Sequence, residues 1–185
     1  LAVLLQARCG LSITEQFKLL RHHYLKDERI LYIEITKFSK HRLSPVPKAV
    51  GKEIDNYLYV RHALNPDDQN PYLFADNNQK PLKDYRVLSL FHQAVRDIGL
   101  KEKRRVVGNM NFNRPIPHCL RHSFAINTLR GIIERKESAQ EALPVLAAYL
   151  GHKKYHYSTV YLKVADAQYR NDLLDFTLWQ EWKNI

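Results

Sequence analysis

Pro117-His118-Cys119-Leu120-Arg121-His122 is the stretch from which the rest of the chain can be read. A proline in the first turn has no N–H to lose and its φ is already helical, so the segment predicts a helix that starts here and runs to Arg130. His118 and Arg121, one turn apart, then share a face. Downstream, Ser138-Ala139-Gln140-Glu141 has capping-box spacing and predicts a short helix through Leu150, stopped by Gly151. The segment from Ala167 to Trp182 reads as helical again, with Leu174, Leu178 and Trp182 on one stripe. Upstream, residues 1–8 suit a helix ending at Gly10, and Thr14 to Tyr24 suit a second, with Phe17, Leu20 and Tyr24 at helical spacing. Ile30 to Thr36 alternates like a strand, and beyond the basic turn from Lys37 to Arg42 the run Leu43 to Val46 completes a hairpin. Pro47 to Arg61 and Asp84 to Gly99 are predicted helices, the second capped by Asp84, and residues 100–117 read as irregular. The expected fold is mostly α, with one small antiparallel β-sheet near the N-terminus.

The chain has 185 residues, 45% of them hydrophobic, enough for one core and a single domain over 1–185. A formal charge of +10 favours a polyanionic partner, with nucleic acid first among the candidates. Charge alone fits a generically basic protein equally well. Cys9 and Cys119 stand far apart without metal-site spacing, so neither a disulfide framework nor a zinc site is expected, and a reducing compartment fits. The apolar run Leu1 to Leu5 is too short for a membrane span and lacks the flanks of a signal peptide. A chain that begins inside an apolar segment, without Met, reads as a piece of something longer that has lost an N-terminal DNA-binding domain.

Four fragments carry the chemistry: Cys9-Gly10-Leu11-Ser12-Ile13-Thr14-Glu15, Thr36-Lys37-Phe38-Ser39-Lys40-His41-Arg42, the segment 117–122, and Leu150-Gly151-His152 followed nine residues later by Tyr161. In that order they resemble the C-terminal catalytic domain of the tyrosine recombinase, or phage integrase, family. The resemblance covers nearly the whole chain. It implies a helical catalytic domain in which a tyrosine oxygen displaces a deoxyribose 5′ oxygen from a DNA phosphodiester, leaving a 3′ phosphotyrosyl link and no need for a metal or other cofactor. Charge grows on the non-bridging oxygens in the transition state, so fixed cations and donors must surround them.

By resemblance Tyr161 is the nucleophile, Arg121 the second of two phosphate-clamping arginines, and His118 its neighbour on the same face. His152 hydrogen-bonds the scissile phosphate, and Lys37 protonates the leaving oxygen. Each has an ordinary rival: Tyr161 is one of 11 tyrosines, with Tyr155, Tyr157 and Tyr169 close by, and Lys40 shares the turn with Lys37. His122 reads as a packing or hydrogen-bonding residue behind the site. One position departs from the family pattern. Where the first clamping arginine belongs, after Gly10-Leu11, the chain has Ser12, with Glu15 at the expected distance. A neutral hydroxyl replaces a bidentate cation there, so strand cleavage is expected to be weakened unless another group, such as Arg8, supplies the charge.

Basic residues flank these motifs: Lys40 and Arg42 in the hairpin, Lys103, Arg104, Arg105 and Arg114 before His118, and Lys153 and Lys154 after His152. They are expected to contact the phosphates of double-stranded DNA. The resemblance also implies a tetramer on paired DNA sites, with the fragment a monomer alone, no membrane association, and DNA integration, excision or transposition in a bacterial cytoplasm. The rival readings are a non-cleaving DNA-binding accessory protein, an RNA-binding protein with coincidental motifs, and a relative of type IB topoisomerases.

Overall fold

The computed structural model describes residues 1–34, 41–76, 80–100, 105–107, 110–112, 115–152 and 157–166; between 105 and 112 it describes backbone only. Two compact units are present, Leu1–Arg121 and His122–Ile185.

The first unit begins with helix α1 (Ala2–Cys9), whose Leu5, Gln6 and Cys9 are buried. Gly10 ends it at φ 62°, a left-handed conformation that costs glycine nothing, and its N–H bonds the Leu5 carbonyl. Burial pushes the Cys9 thiol up to about 12, so it stays protonated and serves as packing. Helix α2 (Ile13–Gln16) follows directly. It is far shorter than the helix expected over Thr14 to Tyr24. Tertiary pairing overrides the helical spacing: the Leu73 N–H bonds Leu19 O, the Arg21 N–H bonds Pro71 O, and Leu20 bridges to Tyr72, which pulls the backbone into an extended path. Arg61 holds the other side of that pairing segment, donating to the carbonyls of Asn70, Tyr72 and Leu73 and to the Asp68 carboxylate.

After a 3-10 turn at Arg21–His23 come β1 (Tyr24–Leu25), β2 (Ile30–Ile33) and β3 (Arg42–Pro45), an antiparallel sheet in the order β1-β2-β3. The expected hairpin is β2 with β3; β1 lies where helix was predicted. Leu31 and Ile33 alternate into the core, and Leu31 stands opposite Ser44, Ile33 opposite Arg42. Helix α3 (Lys48–Leu64) covers this core with Val50, Gly51 and Ile54. At Gly51 an added Cβ would stand 3.0 Å from the Tyr24 hydroxyl, so a larger residue there would have to push that hydroxyl aside. Helix α4 (Asp84–Asp97) has Lys83, not Asp84, as its N-cap; Asp84 occupies the first helical position, where a carboxylate suits the helix dipole instead. Residues expected to be irregular contain a short hairpin, β4 (Arg105–Val107) with β5 (Met110–Phe112).

Helix α5 (His118–Glu134) begins where Pro117 predicts and carries the chain into the second unit. There Ala125 and Leu129 of α5, Leu143, Leu146 and Leu150 in and after α6 (Ala139–Tyr149), and Tyr161 and Ala165 form one buried cluster. Each fully buried leucine contributes about 1.5–3 kcal/mol. Ser138 caps α6 by accepting from the Glu141 N–H, and Gly151 at φ 66° turns the chain out of it. Residues 159–166 form a further helix, α7, that local patterning did not predict. The helix expected over Ala167 to Trp182 lies outside the described residues.

Candidate active-site residues

In the first unit the candidate residues gather around Glu15. Arg121, 6% exposed at its side chain, donates from Nη1 to Glu15 Oε2 at 2.9 Å. Arg42 donates from Nη2 to the same oxygen at 3.0 Å. Burial pushes the Glu15 carboxyl up, but the charges of Arg42 and Arg121 and the Ser12 N–H outweigh it and hold the group below the ordinary carboxylate range. Glu15 is therefore ionised at neutral pH. His118, at the start of α5, is pulled below the ordinary histidine range by partial desolvation of its ring and by the Arg121 charge. Its neutral form is favoured.

Ser12 is the N-cap of α2. Its hydroxyl accepts from the Glu15 N–H at 3.2 Å, while its own N–H donates to Glu15 Oε2 at 2.7 Å, a complete capping box. The departure from the family pattern thus has a local physical role: serine is a strong capping residue. Arg8, expected as a possible substitute cation, is exposed in the last turn of α1.

In the second unit Tyr161 is 4% exposed, and its hydroxyl meets His122 Nδ1 at 2.9 Å. The His152 ring is stacked near Tyr161, with centroids 6.0 Å apart, and its Nδ1 meets the Ser158 hydroxyl at 2.7 Å. Gly151 makes this placement possible, because the left-handed turn delivers His152 directly after α6.

Lys37, Lys40, Lys103, Arg104, Arg114, Lys153 and Lys154 lie outside the described residues, and of Arg105 only the backbone, in β4, is described. Arg42, expected among the DNA-contacting residues, is 12% exposed at its side chain and turned to Glu15. Four contacts escaped sequence reasoning: Arg42 with Glu15, Arg121 with Glu15, His122 with Tyr161, and Ser158 with His152. Alternation could have found the first. Arg42 and Ser44 are two apart on β3 and so share a face, and the Ser44 hydroxyl donates to Cys9 O at 3.3 Å, at the end of α1. Among the described residues no group of His, Cys, Asp and Glu could hold a metal ion, and no helix is long and apolar enough to cross a membrane.

Residues 1–168 match the phage integrase family, and the chain belongs to it. The chain is 29% identical over 158 residues to y4rE of Sinorhizobium fredii, a protein named as an integrase/recombinase, covering 85% of this chain and 48% of that one. It is also 29% identical over 168 residues to the tyrosine recombinase XerA of Pyrococcus furiosus, covering 89% and 49%. Among solved structures, an XerA recombinase superposes with a TM-score of 0.71 at 21% identity over 95% of this chain and 55% of that one. The XerH recombinase bound to a palindromic difH substrate gives 0.70 at 16% identity, over 97% and 45%. The fold is that of tyrosine recombinase catalytic domains. The chain spans about half the length of the curated relatives it matches.

Proposed function

We propose that this chain is the catalytic portion of a site-specific DNA recombinase, with Tyr161 as its nucleophile. The observation that carries the reading is the Tyr161 hydroxyl, hydrogen-bonded to His122, the residue that follows the buried, carboxylate-held Arg121 in sequence. A phenol and a guanidinium are what a phosphoryl transfer without metal needs: one to displace, one to take up the growing charge.

As the Tyr161 oxygen bonds to phosphorus, the bond from phosphorus to the 5′ oxygen breaks. The phenolic proton passes to His122 Nδ1, which accepts in the Nε2-protonated tautomer, and Lys37 gives a proton to the departing oxygen. One phosphoester replaces another, so the reverse attack by a 5′ hydroxyl reseals the strand without an outside energy source. Arg121 and His152 meet the non-bridging oxygens, and neutral His118 lies on the Arg121 face of α5. The basic residues flanking the motifs hold the duplex through its phosphates, and the DNA-bound form is a tetramer on paired sites, the chain alone a monomer.

Ser12 favours a second reading, a DNA-binding accessory protein that does not cleave, since it puts a neutral side chain where the family pattern has a cation. One experiment separates the two. Incubated with a pool of nicked duplexes of randomised sequence around the nick, the chain accumulates a covalent adduct, and Tyr161→Phe accumulates none. If the chain binds the pool tightly but yields no adduct, the accessory reading stands in place of the first.

A further inference from the structure

We propose that Arg42 is a second phosphate-binding cation of this protein, acting beside Arg121; the role rests on the recombinase reading above. Arg42 and Arg121 reach Glu15 from elements far apart in sequence, β3 and the first turn of α5, and their nitrogens bind one and the same oxygen, Oε2. With contacts of 3.0 and 2.9 Å to that atom, the two nitrogens lie within about 6 Å of each other. Glu15 Oε2 fills the space between those two nitrogens, so a phosphate would be met by other N–H groups of the two forks, at the length of about 2.8 Å of a charge-assisted N–H···O bond. Two like charges this close repel, and Glu15 is the group that makes their proximity tolerable. A guanidinium has five N–H donors in a fixed fork, more than one carboxylate oxygen can engage, so holding Glu15 and holding a phosphate oxygen are compatible tasks.

Among the described residues, the neighbours narrow the choice to Arg42. Ser12 offers no charge and has its hydroxyl in the α2 cap. Arg8 is exposed at the end of α1, whereas Arg42 is largely buried and fixed by an ion pair. A transition state with charge on two non-bridging oxygens gains most from cations already in position, and preorganisation of that kind is what the shared carboxylate provides. Register reinforces the placement. Arg42 faces Ile33 across the sheet, and Ser44 on the same face of β3 is tied to the end of α1, so the strand that bears Arg42 is anchored beside the α1–α2 turn.

The test uses the pool of nicked duplexes in two forms, one with an ordinary phosphate at the scissile position and one with a methylphosphonate, in which a methyl group replaces one charged oxygen. A cation that serves the phosphate loses its purpose on the neutral substrate; a cation that only supports the fold does not. Arg42→Ala is expected to slow adduct formation on phosphate by about 10²–10³-fold and on methylphosphonate by less than about tenfold. Arg42→Lys keeps the ion pair to Glu15 but loses the fork. It should show the same pattern with a smaller loss, and it replaces the alanine variant if that chain does not fold. Equal slowing on both substrates, or none on phosphate, overturns the role of Arg42 while leaving the recombinase reading intact. Failure of the unsubstituted chain to form any Tyr161 adduct overturns both.

Discussion

Glu15 and Tyr161 sit at the centres of the two polar clusters, one in each unit, and they are held by different forces. Around Glu15 the interactions are ionic: a depressed carboxyl accepts from two guanidiniums and a backbone N–H, all largely buried. Around Tyr161 the hydroxyl shares a hydrogen bond with His122, with the His152 ring alongside. The first arrangement is costly to disturb and keeps cations fixed before a substrate arrives. The second rests on a hydrogen bond and ring packing, with no ion pair among the contacts described. The difference teaches where electrostatic fixation is invested: in the cluster around Glu15 more than at the Tyr161 hydroxyl.

Removing the carboxylate should break this comparison most visibly. Glu15→Gln leaves Arg42 and Arg121 close together without their counter-charge, and a loss of about 3–5 kcal/mol in urea unfolding is expected. A loss below about 1 kcal/mol would mean that the ionic cluster contributes little. The same group sets an acid limb. Since its folded pKa is depressed, its contribution is fully present above the ordinary glutamate value of about 4.3 and is lost as pH falls through the lower folded value. Unfolding free energy measured from neutral pH downward should therefore fall in that window, and fall less in Glu15→Gln.

Ser12→Ala removes one half of the α2 capping box and should cost about 1 kcal/mol by the same measurement, with no gain or loss of charge to alter salt dependence. Tyr161→Phe should cost least, below about 1 kcal/mol, because it keeps the buried ring and removes only a hydroxyl, whose hydrogen bonding has little net worth. A larger penalty than that for Glu15→Gln would reverse the contrast between the two centres.

The helices that position the candidate site were legible because their signals are local. Pro117 before α5, Ser138 before α6, and the glycines at 10 and 151 each act within one turn, and the elements begin and end accordingly. The segment from Phe17 to Leu25 was not legible, because its backbone is bonded to residues 71–73, about fifty positions away, and no periodicity carries that information. The same division holds in the site. His118 and Arg121 share a face by spacing alone, whereas the meeting of Arg42 with Glu15, and of His122 with Tyr161, depends on elements brought together by the tertiary fold. The motif order pointed to Tyr161 and Arg121; it did not reveal which neighbours hold them.

The serine at the head of α2 also bears on how such a chain could change over generations. Writing an arginine into position 12 would add a cation but forfeit the hydroxyl that accepts from the Glu15 N–H, while the backbone N–H of residue 12 would still hold the Glu15 carboxylate. An arginine at that position would thus gain its charge against a helix-start cost of about 1 kcal/mol, which a second substitution elsewhere could offset.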